Sequence, residues 1–127
     1  MKILLWVIAE LLVIFILLSM PSSGFSNTSK WFGDLPIDKV VHILLFCSLA
    51  CSFFFYFEAS NFRFLKTIRV KAWVLIFCIL YGIGMEYYQK YFVPSRGFEV
   101  SDMLADAIGA LLALPLYSFI RKKDNLK

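Results

Sequence analysis

The chain has 127 residues, of which 61% are hydrophobic and 18% aromatic, and it carries a net charge of +4. Soluble domains contain about 45–50% apolar residues, so a soluble fold of this length would leave a large apolar surface in water. The composition therefore excludes an ordinary soluble enzyme and predicts one integral membrane domain over residues 1–127. The positive charge does not indicate nucleic-acid binding, because the basic residues lie between apolar runs, where they report membrane topology.

Four apolar runs are long enough to cross a bilayer as helices, since about 20 mostly apolar residues span a hydrocarbon core of ~30 Å. No run alternates regularly between apolar and polar residues, which argues against strands. The connections are rich in Pro, Ser, Gly and basic residues, as turns and loops are. We therefore predict an all-α, membrane-embedded four-helix bundle. Its spans are predicted at about residues 3–20, 37–57, 72–93 and 101–120.

The first run has two interpretations. Lys2 followed by an apolar stretch also describes a secretory signal peptide. The run is long for a signal peptide and no clear small-residue cleavage site follows it, so a retained helix is favoured and cleavage is the alternative. Within this run Glu10 has no ionisable neighbour in the sequence. A hydrogen bond to another helix or to a partner subunit would account for it.

The distribution of basic residues predicts the orientation. Of the 13 Lys and Arg residues, nine fall on the side of the two termini and four on the opposite side. Because cytoplasmic loops are enriched in Lys and Arg, we predict a multi-pass protein of the cell membrane with both termini in the cytoplasm. The connections at residues 21–38 and 94–101 should then face outward.

Three cysteines lie inside the apolar runs, where cysteine usually behaves as a small apolar side chain. Their positions, Cys47, Cys51 and Cys78, contain no CxxC pair and no Cys/His spacing of a zinc motif. The cysteines therefore predict no disulfide framework and no zinc site.

Ionisable residues gather at the outward end of three predicted helices. Residues three or four apart share a helix face, so each of these helices directs a polar pair to the same depth. An ionisable group inside the bilayer costs at least ~2.5–3.5 kcal/mol, and such groups usually face the bundle interior and mark function. We predict that the pairs converge on one site. The pairs are Asp38 with His42, Glu86 with Gln89, and Asp102 with Asp106.

Candidate roles follow from side-chain chemistry. A histidine beside acids can act as a general acid or base, with Asp38 orienting it, and cationic side chains can hold a phosphate or carboxylate. Carboxylates also suit Mg²⁺ or Ca²⁺, although no spacing demands a metal. The candidate catalytic residues are His42, Glu86, Asp38 and Asp106, and the candidate binding residues are Lys39, Gln89, Arg96 and Asp102.

Structural explanations compete with these roles. Asp38 and Asp102 open predicted helices, where the helix dipole favours an acid. Lys39 can extend its amine to the membrane interface. Glu86 with Gln89 can form hydrogen bonds that only hold helices together.

Three segments carry a family resemblance over about residues 35–116. They read Asp38-Lys39-Val40-Val41-His42, Glu86-Tyr87-Tyr88-Gln89 and Pro94-Ser95-Arg96-Gly97, followed by Asp102, Asp106 and Gly109. In this order and spacing the chain resembles the VanZ-like family of small membrane proteins. It departs from the family at Asp106, where Asn is frequent. The resemblance implies a cell-envelope role, since the namesake is associated with low-level resistance to the glycopeptide antibiotic teicoplanin.

Three functions remain open at this point. The first is an envelope protein at the outer face of the bacterial cytoplasmic membrane that binds or modifies a cell-envelope or lipid-linked molecule, with or without catalysis. The second is a non-catalytic scaffold or regulator of an envelope enzyme, and the third is a proton- or ion-coupled carrier. The expected partners are the lipid bilayer and such a ligand. Small residues at four-residue spacing, Ala105, Gly109 and Ala113, favour packing within the bundle, with homo-oligomerisation as the alternative.

Overall fold

The computed structural model describes residues 2–21, 37–60 and 68–124. Within these ranges the chain forms four helices and no strand, which confirms the predicted all-α four-helix bundle. Each helix begins and ends within four residues of its predicted bounds. Residues 22–36 and 61–67, which fall within the predicted connections, lie outside the described residues. The helices are α1 (Lys2–Leu18), α2 (Ile37–Ala59), α3 (Ile68–Phe92) and α4 (Val100–Asp124).

Three of the helices, α2, α3 and α4, are long and apolar enough to cross a membrane. Only 28–33% of their most apolar stretches is buried inside the bundle, so most of their apolar side chains face outward, as lipid-facing side chains do. Helix α1 has 17 residues, which places it at the short limit of spanning helices. The membrane crossing of α1 therefore stays a prediction.

The core forms where α2 packs most extensively against α4. Gly109 brings the two backbones together, because a Cβ atom there would collide with the backbone oxygen of Ile43. Ala110 and Ala113 are fully buried on the same side of α4. Small residues thus permit close helix approach, and the prediction that they pack within the bundle is confirmed.

Helix α1 is held to the bundle by polar contacts. The Tyr81 hydroxyl donates to the Leu11 carbonyl at 3.0 Å, and the Ser48 hydroxyl donates to a carboxyl oxygen of Glu10. Of the two partners considered for Glu10, the structure shows a neighbouring helix, since Ser48 lies on α2. The three cysteines are free thiols.

One end of the bundle, which we call the basic end, is organised around Glu58 on α2. Its carboxylate accepts hydrogen bonds from the Tyr117 hydroxyl and pairs with Arg121 Nε at 2.8 Å. The ammonium group of Lys71 lies over the Tyr117 ring, 4.7 Å from its centroid. These contacts join α2, α3 and α4.

Candidate functional site

The opposite end of the bundle, which we call the acidic end, collects ionisable groups from three helices and the segment before α4. Its members on α2 are Asp38, Lys39 and His42, and Glu86 lies near the end of α3. The segment between α3 and α4 and the first turns of α4 contribute Arg96, Glu99, Asp102 and Asp106.

The centre of the acidic end is a buried pair between α2 and α4. His42 Nδ1 lies 2.8 Å from Asp106 Oδ1, and the two residues are 0% and 1% exposed. Asp106, and not Asp38 as expected from the sequence, is therefore the acid that orients the imidazole ring. Asp38 and Asp102 lie close to the same ring, since one carboxylate oxygen of each falls within 4.8 Å of an imidazole nitrogen.

The two cationic side chains of the acidic end are engaged by carboxylates. Lys39 Nζ lies 2.8 Å from Asp102 Oδ1 and 3.1 Å from Glu99 Oε2. A guanidinium nitrogen of Arg96 lies 3.7 Å from Asp38 Oδ1. In this arrangement Lys39 and Arg96 neutralise acids of the site, whereas a phosphate or carboxylate ligand would have to displace these pairs.

Glu86 and Gln89 turn to different neighbours although they share the buried side of α3. Glu86 is 0% exposed, and its Oε2 accepts the backbone N–H of Glu99 at 3.0 Å. Gln89 instead donates from Nε2 to the Leu18 carbonyl at 2.8 Å. The structure thus joins Glu86 to the acidic end, while Gln89 ties α3 to the end of α1.

Local backbone features hold these groups in place. Helix α3 ends in a tight turn in which the Arg96 N–H donates to the Val93 carbonyl at 3.3 Å, and Ser95 adopts a left-handed backbone with φ of 62°. Helix α4 starts where the Glu99 carbonyl accepts the N–H groups of Asp102 and Met103. Asp102 therefore lies in the first turn of α4, where the helix dipole favours a negative charge.

Gly82 makes room for the Asp106 side chain. A Cβ atom at Gly82 would lie 2.9 Å from Asp106 Cβ and 3.0 Å from its Cγ. Because only a glycine leaves this space, α3 and α4 approach closely beside the His42–Asp106 pair.

Three buried polar atoms of the acidic end have no hydrogen-bond partner among the described residues. They come from three different helices and are His42 Nε2, Glu86 Oε1 and Asp106 Oδ2. Asp38, His42 and Asp102 also each offer one ligand atom, and these three atoms lie within 4.8 Å of one another. The site can therefore accept or donate protons, hold polar groups of a ligand, or coordinate a cation.

The sequence did not identify Glu99 as a member of the site, nor Asp106 as the side chain that packs against Gly82. Glu99 contacts Lys39 through its side chain and Glu86 through its backbone. Its place just before a predicted helix containing two further acids was a usable signal. No local signal identified the neighbour of Gly82, because that contact depends on how α3 packs against α4.

Comparison with known proteins identifies a family. The sequence model of the VanZ/LLP1 family matches residues 3–121, a wider range than the segments that carried the resemblance. The "Uncharacterized protein C11E3.10" of Schizosaccharomyces pombe is 31% identical over 117 residues, which cover 90% of this chain and 66% of that protein. The chain thus spans slightly less than two thirds of this relative. No solved structure matches the chain.

Proposed function

The chain belongs to the VanZ/LLP1 family, and on that premise we propose that it acts at the outer face of the membrane. Its acidic end would bind or modify a cell-envelope or lipid-linked molecule. The observation that carries the proposal is that three helices each bury, at this end, a polar side chain with an atom that has no hydrogen-bond partner in the described part of the chain: His42, Glu86 and Asp106.

The energetics favour a binding role for these atoms. A buried polar atom without a partner costs about 1–3 kcal/mol, so three of them would be a substantial burden if their only task were to hold helices together. A ligand that supplies partners would remove this burden. Ionisable side chains buried within a membrane bundle are typical of functional sites.

The placement at the outer face is supported by charge. The basic end carries Arg121, Lys122 and Lys123 in the last turn of α4, and such clusters favour the cytoplasmic side. Since α2, α3 and α4 are each long enough to span the bilayer, the acidic end would then lie at the external surface, within reach of envelope molecules.

In a catalytic form of this function His42 is the acid or base. Asp106 holds the ring through Nδ1, which leaves Nε2 as the nitrogen that can exchange a proton with a ligand. Glu86 Oε1 is the second group with a free position. Asp106 does not need to lose or gain a proton, because its role is to fix the orientation of the ring.

The test is complementation of the envelope phenotype caused by deletion of the gene. We expect His42→Ala and Glu86→Gln each to fail at an abundance matched to the wild-type protein. Glu58→Gln, which alters an acid at the basic end of the same helix as His42, should complement. Full complementation by both acidic-end variants would reject this function.

A second candidate is a non-catalytic scaffold or regulator of an envelope enzyme. The contacts of Gln89 with Leu18 and of Glu86 with the Glu99 backbone favour it, because they tie separate parts of the chain together. In this case the same substitutions would lower the abundance of the protein, and restoring the abundance by stronger expression would restore the phenotype.

A further inference from the structure

We propose that Asp38, His42 and Asp102 form a binding site for a divalent transition-metal cation. Asp106 would act as a positioning residue that orients the histidine. The inference deepens the proposed function and rests on it in one respect, because the same acidic end would hold both the ion and the envelope molecule. With the ion bound, His42 Nε2 is a metal ligand and no longer an acid or base, and Glu86 is the group that remains for proton transfer.

The three residues already lie at nearly the required spacing. One ligand atom of each falls within 4.8 Å of the others. A cation that binds nitrogen and oxygen at about 2.0–2.2 Å in tetrahedral geometry keeps neighbouring ligand atoms about 3.4 Å apart. Small side-chain rotations therefore close the site. Asp38 has the freedom for this, since its side chain is 43% exposed.

The unpartnered nitrogen of His42 is an independent sign of a ligand. The residue is 0% exposed, and its Nε2 has no hydrogen-bond partner among the described residues. Asp106 accepts at Nδ1, 2.8 Å away, so a neutral imidazole keeps its proton on Nδ1 and presents a lone pair at Nε2. Metal-bound histidines usually show this arrangement, with the second ring nitrogen held by a carboxylate.

The charge of the acidic end also calls for a cation. Five carboxyl groups gather there, while the cationic side chains that contact them are Lys39 and Arg96. Burying carboxylates beside one another is costly unless a counter-charge accompanies them. Lys39 contacts both Asp102 and Glu99, so it can keep Glu99 when Asp102 turns to an ion.

The donor set indicates the class of ion. One imidazole with two carboxylates suits Mn²⁺, Fe²⁺ or Zn²⁺, whereas Mg²⁺ and Ca²⁺ prefer oxygen donors alone. Three protein ligands leave a coordination position for water or for an oxygen atom of the bound molecule. The ion would then polarise a phosphoryl or carbonyl oxygen, which are groups found in lipid-linked and cell-wall molecules.

The experiment is a titration of the purified full-length chain in detergent with Mn²⁺, in which electron paramagnetic resonance counts the free ion. We expect one saturable site per chain and displacement of Mn²⁺ by Zn²⁺, but not by equimolar Mg²⁺. The wild-type chain failing to bind Mn²⁺ saturably would overturn the proposal.

Variants locate the ion. We expect His42→Gln and Asp102→Asn to weaken binding at least 10-fold, and Asp38→Asn serves if either of the first two does not fold. Glu58→Gln is the matched control, because it removes an acid from the other end of α2, and it should bind as the wild type does. Equal binding by wild type and all ligand variants would place the ion elsewhere and reject the site.

Two substitutions of Asp106 test whether it orients the His42 ring for metal binding or only stabilises the fold. Asp106→Leu leaves Nδ1 without an acceptor and should weaken Mn²⁺ binding by about 10–100-fold. Asp106→Asn keeps an acceptor oxygen and should restore most of the affinity. Equal effects of the two substitutions would contradict the positioning role.

The metal site and the proposed function fail separately. If the wild-type chain binds no Mn²⁺ but His42→Ala loses complementation, the metal site is rejected and the proposed function stands. If Mn²⁺ binding requires His42 but His42→Ala still complements, the metal site stands and the proposed function is rejected.

Discussion

The two ends of α2 carry acids in contrasting surroundings. At the basic end both carboxyl oxygens of Glu58 are engaged, one by the Tyr117 hydroxyl and the other by Arg121. At the acidic end His42 and Asp106 pair with each other, yet each keeps a buried polar atom for which residues 2–21, 37–60 and 68–124 supply no partner. The two ends of the bundle thus differ: one holds an acid with both oxygens engaged, and the other holds a polar cluster with open positions that we assign to ligand binding.

The spacing of the helices differs in the same way. Near the acidic end Gly82 and Gly109 let neighbouring helices approach within the reach of short side chains. At the basic end aromatic rings fill the space, with the centroids of Phe54 and Tyr117 5.4 Å apart. The helix backbones therefore approach closely beside the polar cluster of the acidic end. Beside the Glu58–Arg121 ion pair of the basic end, large aromatic side chains separate the helices.

The largest effect concerns the side of the membrane on which each end lies. We expect a membrane-impermeant maleimide to label Gly97→Cys in intact cells and to label Lys122→Cys only after permeabilisation. Both positions are exposed in the structure. The wild-type chain, whose cysteines lie within helices, measures background labelling. The reverse labelling pattern would place the acidic end in the cytoplasm and contradict the proposed location of the site at the outer face.

Close packing beside the acidic end should be sensitive to a single methyl group. Gly109→Ala forces a Cβ atom against the backbone of Ile43, which cannot move as a side chain can, and we expect a loss of about 1–3 kcal/mol in unfolding free energy. Gly84→Ala is the matched control, since nothing lies within 4 Å of its Cβ position. It should be neutral or gain up to about 1 kcal/mol. Denaturation in mixed micelles measures both, and equal effects would refute the close approach.

Lys39 distinguishes an anion site from a cation site. Because its ammonium group occupies Asp102 at 2.8 Å, Lys39→Gln should free this carboxylate and tighten Mn²⁺ binding several-fold. A competing positive charge is also removed from the site. If Lys39 served to hold an anionic ligand, the substitution would instead weaken envelope complementation without improving Mn²⁺ binding.

The smallest effect is expected at the basic end. The Arg121 and Glu58 side chains are 56% and 30% exposed, and ion pairs of this kind contribute about 0–1 kcal/mol. Arg121→Gln should therefore change the unfolding free energy by no more than about 1 kcal/mol, as measured by the same denaturation. A loss of complementation at normal abundance would show that the basic end also has a functional role.

The sequence predicted the helices and the convergence of the acids, because both follow from local rules. Apolar length defines a span, and four-residue spacing places Asp38 beside His42 and Asp102 beside Asp106. The sequence could not predict which side chains of different helices contact each other. Glu86 and Gln89 are three residues apart, which leaves about 60° between their directions, enough for one to meet the acidic end and the other to meet α1. The pairing of Asp106 with His42, likewise, depends on how α2 packs against α4.

The most direct test compares Glu86→Met with Gln89→Met, since the two residues lie one turn apart on α3 and differ in their pairing. Gln89 donates a hydrogen bond to the Leu18 carbonyl. Glu86 accepts one from the Glu99 N–H, but its second oxygen is buried without a partner among the described residues, which is costly. The measurement is the melting temperature of each purified variant. We expect Gln89→Met to melt below the wild type. We expect Glu86→Met to melt at or above the wild type and to fail to complement the deletion phenotype. A melting temperature of Glu86→Met that falls as far as that of Gln89→Met would show that the acidic end is a packing network and contradict its assignment as a binding site.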